Sequence, residues 1–136
     1  MSAGYSKTPL LNKLGIKPGF SIYLQNPPHD YQQTLGALPD NVALSKRILG
    51  NHDFIQFFTT SRAELEDNFK LLSEKIKPNG MLWISWPKKT AKVQTDLNEN
   101  IVREIGLKNN LVDVKVCAVD EVWSGLKFVY RLKDRV

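Results

Sequence analysis

Residues 53–86 constrain the fold more than any other stretch of this chain. Asp53-Phe54-Ile55-Gln56-Phe57-Phe58 is apolar at odd and even positions alike, the pattern of a strand covered on both faces. Leu65, Phe69, Leu72 and Ile76 then recur at spacings of four, three and four, which is one apolar stripe along a helix. Ser61 and Glu64 stand at capping-box spacing just before it. Pro78-Asn79-Gly80 turns the chain into a second apolar run, Met81-Leu82-Trp83-Ile84-Ser85-Trp86. Strand, helix and strand linked by so long a connection predict a parallel crossover, with the helix stripe laid on the sheet.

The flanking segments extend this pattern. Thr8 as N-cap, Pro9 at the first helical position and Gly15 as a left-handed stop predict a short helix. Phe20–Leu24 reads as a strand that Asn26-Pro27-Pro28 ends abruptly. Tyr31 and Leu35 support at most a short helix, and Val42-Ala43-Leu44 a brief strand. Thr95 or Asp96 can cap a further helix with the stripe Leu97, Ile101, Val102 and Ile105, stopped by Asn109-Asn110. Residues 112–119 and 126–132 follow as two strands whose short connection, residues 120–125, favours an antiparallel pair. Leu126, Phe128, Tyr130 and Leu132 share one face of the last strand. The whole predicts a single α/β domain over residues 1–136: Rossmann-like, with a mostly parallel sheet and a C-terminal antiparallel strand pair.

At 136 residues, such a domain buries about two-thirds of its unfolded surface. The apolar runs are far too short to cross a bilayer. Met1 to Lys7 lacks a basic stretch followed by an apolar one, so no membrane partner and a cytoplasmic location are expected. Cys117 is the single cysteine, which excludes an internal disulfide. It lies in a β-like run and reads as a buried structural thiol. His29 and His52 are far apart, without ligands at metal-motif spacing, and read as surface or loop residues. No metal site is expected.

The net charge of +5 favours anionic partners. Nucleic acid is one such class, but no block of like charge is long enough to read as a binding arm. The densest lysines, Lys88, Lys89 and Lys92, follow the Met81 strand. In open α/β sheets ligands sit at the carboxyl ends of strands. Trp86, Lys88 and Lys89 therefore form a candidate anion site, the indole as a stacking platform and the lysines as point charges. Trp123 and Lys127 join the same rim if the last two strands lie beside the Met81 strand. Thr59, Thr60 and Ser61 could present hydroxyl and N–H groups to a phosphate, although ordinary capping accounts for them. Asp120 and Glu121 are neighbours in sequence and do not form a carboxylate pair by themselves. No nucleophile, base and orienting group stand at motif spacing, so catalytic residues remain unassigned.

The strand opening at Asp53, the helix, the Lys77-Pro78-Asn79-Gly80 turn into the next strand and the closing antiparallel pair together resemble the later half of the Rossmann-like methyltransferase fold. A fuller set is similar, over nearly the whole length, to a family of small bacterial proteins of unknown function. It comprises Gly4-Tyr5-Ser6, Leu14-Gly15-Ile16-Lys17-Pro18-Gly19, residues 83–89, Val114-Lys115-Val116 and residues 123–127. In methyltransferases the first strand ends in a glycine-rich turn that admits adenosylmethionine; here the turn is Gln25-Asn26-Pro27-Pro28-His29. Two prolines remove two donors, and no acidic residue marks the end of a second strand to hold a ribose. No cofactor is therefore expected in the usual mode. Asn26-Pro27-Pro28 also resembles the catalytic turn of amino-group methyltransferases, with His29 where that turn has an aromatic ring.

These observations converge on a non-catalytic or cryptic binding domain for a small anionic or nucleotide-like molecule. The alternatives are a divergent methyltransferase-like enzyme and a nucleic-acid or protein interaction module.

Overall fold

The computed structural model describes residues 8–135; the Gly4-Tyr5-Ser6 motif lies outside them. Six strands form one sheet: β1 (Ser21–Gln25), β2 (Ala43–Ser45), β3 (His52–Phe58), β4 (Ile76–Pro87), β5 (Leu111–Ala118) and β6 (Trp123–Tyr130). Their order is β2-β1-β3-β4-β6-β5. β2, β1, β3 and β4 pair in parallel, and β6 runs antiparallel to both β4 and β5.

The four α-helices are α1 (Leu10–Leu14), α2 (Tyr31–Leu35), α3 (Arg62–Glu74) and α4 (Glu99–Lys108). Leu65, Phe69 and Leu72 of α3 and Val102 and Ile105 of α4 pack with Ile55, Phe57, Leu82, Ile84, Leu126 and Phe128. The other face of the sheet presents Ile22, Phe54, Phe58 and Trp83 to α1 and α2. Both faces are thus covered, as a parallel sheet requires. Two glycines make room for rings: a Cβ on Gly106 would lie 2.0 Å from Phe128, and one on Gly125 would lie 3.0 Å from Trp83. Trp83 is fully buried and donates its indole N–H to Leu14 O at 3.0 Å, tying α1 to the centre of the sheet.

Several boundaries differ from those read in the sequence. α1 begins at Leu10, with Pro9 at the N-cap, while Gly15 takes the left-handed cap at φ 83°. The Lys77 to Gly80 segment lies within β4 as a register break, His52 facing Ile76 and Phe54 facing Met81. Thr95 and Asp96 do not cap α4; Asn98 does, accepting from Ile101 N. Leu132 falls beyond β6 and is 80% exposed, so it does not share the apolar face of that strand.

His52 is buried rather than in a loop. The register break beside it places its ring against Tyr23, with Nδ1 2.9 Å from Ser21 Oγ. His29 is exposed beside Asp30, as expected of a loop histidine. Cys117 is half-buried in β5, and desolvation pushes its thiol pKa up, which disfavours the thiolate. Among the described residues no helix is long and apolar enough to cross a membrane, and no His, Cys, Asp or Glu cluster fits a metal ion.

Candidate functional site

The chain leaves β1 toward β2 on one side and returns to β3 on the other, so the carboxyl ends of β1 and β3 border the topological switch point of the sheet. Asn26, at φ 56°, and Asp30, at φ 61°, bracket the turn after β1, and Pro27 and Pro28 between them offer no N–H. A cleft of about 370 Å³ opens here, lined in part by Leu24, Pro27, Pro28 and Asp30. Tyr31, buried beneath it, donates to Gln56 Oε1 at 2.7 Å, and Gln56 Nε2 donates to Ser85 Oγ at 3.0 Å. This chain of polar side chains across β3 and β4 is satisfied from end to end at Gln56, which fixes α2 on the sheet. Burial raises the Tyr31 pKa above that of an ordinary phenol, so the hydroxyl stays protonated and donates. Neither the network nor the buried His52 was apparent in the sequence.

At the end of β3 two of the three hydroxyl groups, those of Thr59 and Ser61, are already engaged. Thr59 is buried and donates to Glu64 Oε1 at 2.5 Å while accepting from Ser61 N, and Ser61 accepts from Glu64 N. Asp96 Oδ1 accepts from Arg62 N at 2.7 Å, placing a carboxylate at the head of α3. An anion there would meet that carboxylate, so capping, not phosphate binding, describes this corner.

Beyond β4 a cleft of about 650 Å³ lies between the strand end and the start of α4, lined in part by Trp86, Lys88, Lys89, Thr90, Asn98 and Ser124. Asn98 and Glu99 open α4, where N–H groups and the helix dipole favour negative charge. Glu99, the one acidic residue among the described lining residues, pairs with Arg103 at 2.5 Å, and the same guanidinium is shared with Asp113 at 2.8 Å. Lys89 is exposed at the mouth, and Lys88 is held by its backbone N–H to Val122 O.

The five residues singled out in the sequence divide among three places. Lys88 and Lys89 are in this cleft. Trp86 is 5% exposed and belongs to the core beneath α3 and α4, so it forms a wall and has no free ring face for stacking. β6 does lie beside β4, but Trp123, facing Pro87, points to the opposite face, its ring edge-on to Phe58 at 5.2 Å. Lys127, facing Trp83, lies four residues down β6 from Trp123, near Gly15 and away from the strand ends. The structure therefore does not bring all five onto one rim: Trp86 and Trp123 sit one register step apart on neighbouring strands and so face opposite sides of the sheet.

The residues present do not suit adenosylmethionine in its usual mode. Prolines occupy the turn where backbone donors would approach the cofactor, and Ser45-Lys46-Arg47 at the end of β2 supplies cations where a ribose needs a carboxylate.

Comparison by sequence finds no matching family and no similar curated protein. Comparison by fold finds methyltransferases. Magnesium protoporphyrin IX methyltransferase of Synechocystis, with SAM bound, matches with a TM-score of 0.59 and 12% identity over 90% of this chain and 74% of that one. A methyltransferase from Pyrococcus furiosus matches at 0.54 and 10% identity, over 88% of this chain and 78% of its own. The fibrillarin pre-rRNA processing protein of Methanococcus jannaschii matches at 0.56 and 10% identity, over 93% and 70%. The strand order, the single antiparallel strand inserted between β4 and β5 and these likenesses give the chain the Rossmann-like methyltransferase fold.

Proposed function

We propose that this chain is a divergent methyltransferase-like domain that binds a small anionic, nucleotide-like molecule at the carboxyl ends of its strands. The observation that carries the reading is the cleft between β4 and α4, where Lys88 and Lys89 meet a helix start and Glu99, the one acidic residue among the described lining residues, is paired with Arg103. Lysines act there as point charges for phosphate or carboxylate groups, and the dipole at the start of α4 favours the same charge. A thermal-shift screen of nucleotides and phosphorylated metabolites tests it. At least one anion should raise the unfolding temperature, and the Lys88→Ala/Lys89→Ala pair should abolish the rise. Stabilisation that survives the double substitution would place the site elsewhere.

The second reading is methyl transfer. Fold likeness to methyltransferases supports an enzyme more than it supports a purely non-catalytic role, and Asn26-Pro27-Pro28 stands at the switch point. The chemistry of the β1 turn and of the end of β2 keeps this reading second. It requires adenosylmethionine to be held by a different set of donors, and a titration of the cofactor separates the two.

A further inference from the structure

Lys127 stands apart from the strand-end rim, in a group of lysines on the α1 side of β5 and β6. Lys115 and Lys127 are direct cross-strand partners, a placement in which like charges oppose pairing. Lys115 Nζ donates to Lys13 O at 2.7 Å, near the C-terminal end of α1, which fixes its ammonium over the helix end. Lys127 Nζ lies 3.9 Å from where a Cβ on Gly15 would stand, and the Met81 side chain lies 3.6 Å from the same point. Lys17 follows Gly15 by two residues. Burial, and then the positive charges of Lys115 and Lys17, lower the Lys127 pKa.

The side-chain ion pairs of the described residues use Arg62, Lys77, Arg103 and His29, and none of these four lysines. A half-buried ammonium without a counter-charge, opposite another lysine, destabilises the free protein. An anion seated between them removes that repulsion. Beside the pair is a cleft of about 400 Å³, lined by Thr8, Asn12, Lys13, Lys115, Val116, Cys117 and Ala118. Among the described residues the lining holds no carboxylate, no arginine fork and no aromatic ring. This set matches a compact tetrahedral anion met by point charges better than a planar carboxylate or a stacked base.

We infer that Lys13 and Lys115, which line this cleft, together with Lys127 opposite Lys115 on the neighbouring strand, form a second anion site, separate from the β4–α4 cleft, which takes a phosphate group. The group comes either from a small phosphorylated molecule or from a nucleic-acid backbone. The test is a titration of uniformly labelled protein with inorganic pyrophosphate and, in parallel, with a short oligouridylate, followed by amide chemical shifts. Shifts should concentrate at residues 13–17, 115–117 and 125–127. Pyrophosphate binding assigns the site to a small ligand. Binding of the oligonucleotide alone, falling steeply with salt, assigns it to a backbone. Lys115→Gln and Lys127→Gln should each weaken binding about tenfold, whereas Lys108→Ala, on the opposite face of the sheet, should leave it unchanged. Without ligand, Lys127→Gln should unfold at or above the wild-type temperature, because it relieves repulsion. Equal affinity in all three variants, shifts confined to residues 86–90, or no binding at millimolar pyrophosphate and oligonucleotide would overturn the inference.

Discussion

Trp86 and Trp123 stand one register step apart on adjacent antiparallel strands and point to opposite faces of the sheet. Their proximity at the strand ends therefore does not make a shared aromatic wall. Trp86→Ala should cost about 3–5 kcal/mol of stability, because the ring fills the core beneath α3 and α4. Trp123 is only partly buried, so Trp123→Ala should cost less and leave anion binding in the β4–α4 cleft unchanged. Denaturant unfolding of both variants, with the thermal-shift screen repeated on Trp123→Ala, checks the pair.

His52 should make stability depend on pH. Burial lowers its pKa, as do Lys77 and Lys75 to a smaller extent, while Asp53 opposes them. Its Nε2 is buried without a partner, so in the charged ring the proton on that nitrogen would have no acceptor. The unfolded chain takes up a proton near pH 6.5, while the folded chain resists until a lower pH. The stabilisation is therefore complete above about pH 6.5 and is lost as pH falls toward the lowered native value, at up to about 1.4 kcal/mol per pH unit. Urea unfolding of wild type and His52→Gln between neutral and mildly acidic pH isolates this contribution. Parallel curves for the two would contradict it.

Most of the fold was legible because it rests on periodicity. The Leu65, Phe69 and Leu72 stripe and the apolar runs of β3 and β4 encode a crossover that the structure contains, while Ile76, read as the end of that stripe, opens β4 instead because the helix stops at Glu74. What periodicity cannot carry is where a register breaks or which distant polar groups meet. The break at Lys77 to Gly80 turns His52 inward, and nothing in the local sequence distinguishes that from a loop histidine. Asp96 caps α3, 34 residues away in sequence, instead of its own helix. At the candidate site, Lys88 and Lys89 were recognisable from the strand-end rule. That Asp113 of β5 shares Arg103 with Glu99 depends on tertiary placement and not on local spacing.

Tyr31→Phe should destabilise the protein by about 1–3 kcal/mol by leaving Gln56 Oε1 buried without its donor. Removing both polar partners, as Tyr31→Phe with Gln56→Leu, should cost less than the sum of the two single changes. A double-mutant cycle by chemical denaturation measures this coupling. Additive effects would mean that the hydrogen bond does not hold α2 to the sheet.

On the proposed reading this methyltransferase-like fold, with prolines in its β1 turn, does not hold adenosylmethionine in the usual mode and takes a different anion at its strand ends. Calorimetric titration of the wild-type protein with adenosylmethionine to millimolar concentration tests it most directly. The account predicts no saturable heat, because Pro27 and Pro28 supply no donors and Lys46 and Arg47 stand where a ribose acceptor is needed. A micromolar dissociation constant would contradict it and make methyl transfer the leading reading.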